Sequence, residues 1–109
     1  MAFDEILAGQ VRTLLVDESD VTEKRMFGGL AFLVAGHMAV AVSGGGGLMV
    51  RTAPSEAQAP YFAHAEPMVM NGRELAGWVL MPAEPLTDEA TLAAVVGHAR
   101  AFVRTLPAK

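Results

Sequence analysis

From Met26 to Val50 the chain runs 25 residues without a single Asp, Glu, Lys or Arg. An uncharged run of that length has two destinations. It crosses a membrane as one helix, which takes about 20 apolar residues, or it folds into strands that bury one another. Glycine decides between them. Gly28, Gly29, Gly36 and Gly44 to Gly47 interrupt the run, and His37 sits near its middle. Between the glycines large and small residues alternate, which is the period of a strand. The run therefore reads as water-soluble hairpins, with no membrane association.

Within it, Leu30 to Ala35 and Met38 to Val42 read as two strands, and Leu48 to Thr52 as a third. Leu30, Phe32 and Val34 are expected on one face with Met38, Val40 and Val42. Ala31, Leu33, Ala35, Ala39 and Ala41 are expected on the other, which is small but still apolar. Gly36-His37 fits a two-residue hairpin turn with glycine first. Thr22 to Phe27 leads into this region and is left without an assigned element.

Helices are expected at both ends. Phe3, Ile6, Leu7, Val11, Leu14 and Leu15 recur at three- and four-residue steps, predicting a helix over Phe3 to Asp17. Leu92, Val95, Val96, Ala99, Phe102, Val103 and Leu106 predict another from Asp88 to Thr105, with Thr87 as its N-cap and Pro107 as its stop. Ser55 and Gln58 have capping-box spacing. A short helical piece is expected between Ser55 and His64, interrupted by Pro60. Glu66 to Met70 and Arg73 to Met81 flank Asn71-Gly72, a strong hairpin signal. The resulting order is α-β(3)-α-β(2)-α. The fold class is α+β: two layers, an antiparallel sheet with helices, in a single domain over residues 1–109.

The lack of cysteine excludes disulfides, thiolate metal sites and cysteine catalysis. A formal net charge of -4 opposes a nucleic-acid role for the whole surface. The N-terminus shows no signal peptide, so a cytoplasmic location is expected. Gly44 to Gly47 leads into a strand rather than a helix, so it reads as a hairpin loop and not a phosphate cradle. His37, His64 and His98 lack the partners, at the right spacing, for a metal site on one element. Neither a catalytic residue nor a cofactor is assigned.

Lys24, Arg25, Arg51 and Arg73 fall on or beside the expected strands, with Phe27 and Trp78 in the same sheet region. They form the candidate surface for a peptide, an anion or nucleic acid. The plain alternative is solvated charge at strand ends with both aromatic residues in the core.

The string Thr22-Glu23-Lys24-Arg25-Met26-Phe27-Gly28-Gly29, with Gly36 and Met38, Val50-Arg51, Gly72-Arg73 and Gly77-Trp78, resembles the TfoX/Sxy N-terminal domain family. The resemblance spans essentially the whole chain. It implies an α-β(3)-α-β(2)-α fold similar to type III secretion chaperones. Full-length members look like positive regulators of natural competence that act with a cAMP-receptor-type transcription factor and carry a second, helical domain. This chain is read as a stand-alone N-terminal domain. Some stand-alone relatives carry RNA-methyltransferase labels, but no glycine-rich strand-to-helix motif for S-adenosylmethionine is present here.

The expected function is a non-enzymatic protein-interaction or regulatory module. Its partner is a protein such as a transcription factor, and it forms a homodimer. The candidate interaction surface is Lys24, Arg25, Met26, Phe27, Gly28, Gly29, Arg51, Arg73 and Trp78. The alternatives are nucleic-acid binding through the four basic residues and a small-ligand or enzymatic protein with a pocket near Phe27 and Trp78.

Overall fold

Asp4 starts the first helix in the computed structural model, which describes residues 4–26, 28–52, 62–63, 65–70 and 72–107. Its carboxylate accepts from the amides of Ile6 and Leu7 at 2.9 and 3.1 Å, satisfying two donors that a helix start leaves without partners. Helix α1 spans Glu5–Leu14. Six strands follow: β1 Val21–Met26, β2 Gly29–Val34, β3 His37–Val42, β4 Leu48–Arg51, β5 Glu66–Met70 and β6 Arg73–Met81. A 3-10 turn at Pro85–Thr87 leads into helix α2, Glu89–Val103. The described strands form one sheet in the order β1-β2-β3-β4-β6-β5. Every neighbouring pair is antiparallel.

The α+β class therefore holds, and the uncharged run folds as hairpins. Among the described residues no helix is long and apolar enough to cross a membrane. The order differs from expectation at the start, because Val21–Met26 is a strand. It lies at the sheet edge with Thr22, Glu23, Lys24 and Arg25 all exposed, so no apolar alternation announces it. The short helix expected over Ser55 to His64 lies outside the described residues, apart from Phe62 and Ala63.

Two local corrections change which side chains face the core. The β2–β3 turn is Ala35-Gly36, not Gly36-His37, and Val34 pairs with His37. Ala35 has φ 52 and Gly36 φ 86, the double positive φ of a type I′ turn. Between Phe32 and Leu33 the register then shifts, so that Phe32 pairs with Val40 and Leu33 with Met38. The extra residue is Ala39, which joins the core at 1% exposure, while Met38 lies opposite Leu33 on the other face.

Both helices cover the same face. Leu7, Ala8, Val11 and Leu15 of the α1 region and Leu92, Val95, Val96, Ala99 and Val103 of α2 pack on Leu30, Phe32, Val40, Val42, Leu48, Val50 and Met81. Phe32 is fully buried, which contributes about 2–3 kcal/mol of transfer free energy. Ile6, expected in the stripe, is instead 78% exposed, and Ala8 takes a buried position. At α2 the residue before the helix is Asp88, not Thr87. Thr87 ends the 3-10 turn, its hydroxyl donating to the Glu84 carbonyl at 2.8 Å.

Candidate interaction surface

The block Lys24-Arg25-Met26 occupies the open edge strand. Each residue pairs on one side only, Lys24 with Ala31, Arg25 with Leu30 and Met26 with Gly29. Phe27 lies outside the described residues, and Gly28 is exposed in the turn. A Cβ on Gly29 would sit 2.2 Å from the Val42 carbonyl oxygen, so only glycine admits that approach of backbone to backbone. Glu23, beside Lys24, receives two hydrogen bonds from the Arg12 guanidinium, at 2.6 and 2.8 Å. The bond from Arg12, reinforced by its charge, holds the Glu23 carboxyl below its ordinary value, against a smaller opposing effect of burial. The Arg12 guanidinium also lies 6.0 Å from the Phe32 ring centre, so the pair fastens α1 across the first two strands.

Arg51 and Trp78 form a second centre. They are directly paired between β4 and β6, and next to them the Thr52 amide donates to the Gly77 carbonyl at 2.7 Å. The dipeptides Val50-Arg51 and Gly77-Trp78, 26 residues apart in the chain, thus lie side by side. The Arg51 guanidinium sits 5.6 Å from the Trp78 ring centre and 5.3 Å from that of Phe102. Among the described residues its Nε is buried without a hydrogen-bond partner.

The four basic residues do not converge. Strands β2 and β3 separate Lys24 and Arg25 from Arg51, roughly 14 Å at ordinary strand spacing. Arg73 opens β6, about 16 Å along the strand from Trp78. Positive charge is therefore distributed across the sheet rather than gathered in one stripe.

The sheet also presents a face that no helix covers among the described residues. Register places Lys24, Ala31, Ala41, Met49, Leu80 and Glu66 in one row across all six strands. The adjacent row, Leu30, Val42, Leu48 and Met81, faces the helices, so the first row faces away. Ala31 and Ala41 are 0% and 2% exposed, while Met26, Leu33, Met38, Met49 and Leu80 are half-buried. Near one end a hollow of about 90 Å³ lies between Met26, Gly29, Ala41, Met49 and the start of the glycine loop. That is well below the volume of small-ligand sites, about 300 Å³ and upward.

The glycine loop itself is a hairpin connection. Ser43 donates its amide to the Gly47 carbonyl at 3.0 Å, and β4 follows directly. His37 contacts the Pro107 carbonyl through Nε2, and His98 meets the Phe62 ring edge-on at 5.0 Å. His64 lies outside the described residues. Among the described residues no three His, Asp or Glu side chains gather as a metal site would require.

Sequence reasoning placed Arg51 and Trp78 in one sheet region but missed Phe102, 51 residues away on α2. It also took Phe102 only as part of a helical stripe, and spacing carries no signal for a contact between helix and strand end.

No curated protein and no solved structure matched the chain. A family model described as the TfoX N-terminal domain matches residues 13–103. That match takes in every strand of the sheet and all of α2, together with the Lys24–Gly29 block and the Arg51–Trp78 pair. The chain belongs to the TfoX N-terminal domain family.

Proposed function

We propose that this domain is a non-enzymatic interaction module that receives a protein on the helix-free face of its sheet, and that its first partner is a second copy of itself. One observation carries the reading: among the described residues both helices pack on one face, leaving on the other a row of apolar residues bounded by Lys24 and Glu66. Contiguous apolar surface of this kind marks interaction sites. The ends of the row carry opposite charges, so a copy turned by a two-fold axis along the strands meets Lys24 with Glu66. The edges suit pairing less well. β1 is lined with Glu23, Lys24 and Arg25, and β5 carries Pro67 and a register shift, both devices that discourage strand addition.

Membership of the family supports a regulatory setting in the cytoplasm, with a transcription factor as the further partner. Light scattering at micromolar concentration tests the self-association. The expected mass is that of two chains. The double variant Leu33→Lys/Met49→Lys is expected to give one chain with an unchanged circular-dichroism spectrum. A wild-type protein with the mass of one chain would overturn the homodimer.

A further inference from the structure

Methionine recurs on the helix-free face. Met38 lies there opposite Leu33, and Met49 stands in the outward row. Met26, two residues along β1 from Lys24, shares the same side. All three are half-buried. Met81, by contrast, faces the helices with no exposure. Met26 and Met49 also line the hollow of about 90 Å³, together with Gly29 and Ala41. That space is too small for an ordinary ligand. It does admit a molecule as small as hydrogen peroxide, since a water takes about 30 Å³.

We infer that Met26 and Met49 are a peroxide-sensitive pair whose oxidation to the sulfoxide switches off self-association. The inference rests on the reading of this face as the dimer surface. A thioether sulfur attacks one oxygen of hydrogen peroxide, and the O–O bond breaks. The S–O bond of the sulfoxide forms, sulfur gives up two electrons, and the peroxide is reduced to water. A flexible apolar side chain thereby becomes a polar one. In the free chain water solvates the new oxygen. A second copy closing over it would strip that water and set the oxygen against the alanine, leucine and methionine side chains of the face. The dimer covers the hollow, so oxidation proceeds through the free chain and draws the equilibrium toward it.

Light scattering and peptide mass mapping of the full chain, followed together through a hydrogen peroxide time course at micromolar concentration, test this. Untreated protein is expected at the mass of two chains. As Met26 and Met49 each gain one oxygen, the mass is expected to fall to that of one chain. Association should weaken about ten-fold or more. Met81 is expected to oxidise about ten-fold more slowly than the pair, because the core excludes the oxidant. Raising the protein concentration should slow oxidation of the pair. The two methionine sulfoxide reductases, one for each epimer, should restore the dimer in the presence of dithiothreitol.

The double variant Met26→Leu/Met49→Leu keeps the apolar volume and removes both sulfurs. It is expected to be a dimer without peroxide and to remain one with it. An untreated wild type with the mass of one chain would overturn the reading of the face, and this inference with it. A wild-type dimer that persists with both methionines fully converted would overturn the inference alone. So would a double variant that dissociates on the same time course as wild type. Met81 oxidising as fast as the pair would show that the fold had opened, and would overturn it too.

Discussion

Arg12 on α1 and Glu23 on β1 are joined by two parallel hydrogen bonds across eleven residues of chain. This contact links the first helix to a strand that contributes nothing else to the core from its exposed middle. Because Glu23 sits below its ordinary value of 4.5 in the folded protein, the pair stabilises the fold above that value. The contribution fades as pH falls through the depressed folded value. Arg12 is raised, so its own contribution is complete throughout this range. Glu23→Gln is expected to lower Tm slightly at pH 7, and the difference from wild type should narrow as the pH falls below 4.5. Thermal melts across that range check it.

Ala35 is the one non-glycine residue with positive φ among the described residues. A β-carbon in that conformation is strained, and the position precedes Gly36 in a type I′ turn. Ala35→Asn should therefore stabilise the domain by about 0.5–1 kcal/mol. Denaturant unfolding would show a higher midpoint with an unchanged slope.

Gly29 and Gly45 should respond very differently to the same substitution. A Cβ at Gly29 meets the Val42 carbonyl oxygen at 2.2 Å, whereas at Gly45 the nearest atom is the Ser43 hydroxyl at 3.8 Å. Gly29→Ala is expected to destabilise by about 3 kcal/mol, because two paired strands must move apart. Gly45→Ala should stay within about 0.5 kcal/mol of wild type. Chemical denaturation of the two variants side by side gives the comparison.

Phe32 lies beneath α1 with no exposure. Phe32→Ala should cost about 3–5 kcal/mol, since the helix and sheet cannot both close on the cavity. That is a large share of the stability of a domain this size, so a marked loss of soluble folded protein is expected, read by circular dichroism and yield.

Lys24 and Glu66 bound the helix-free row from opposite edges of the sheet. In a dimer of two such faces, Lys24→Glu sets like charges against each other at both ends. It should weaken association about three- to ten-fold, more at low salt than at high. Adding Glu66→Lys restores opposite signs and should recover the dimer. Sedimentation of the single and double variants decides it.

Much of the architecture was legible because burial on one face writes itself into the chain. Leu30 to Val34, Val40 to Val42 and Leu48 to Val50 alternate or run apolar as strands must, and α2 keeps its stripe at helical spacing. The hairpin at Met70 and Arg73 followed from its turn residues. β1 was not legible, since an exposed edge strand is free to be polar on both sides. Nor was Ile6, whose position fits the stripe of α1 but points past the sheet into solvent.

The amino-acid sequence by itself determined that the uncharged middle makes hairpins, that helices flank them, and that the class is α+β. Only the tertiary structure decided which residues of β3 face the core, because a bulge at Ala39 reverses the alternation from there to the turn. It also decided that both helices share one face, and that Arg51, Trp78 and Phe102 meet. Periodicity records what each segment buries, whereas contacts between distant segments depend on register and packing, which local spacing does not encode.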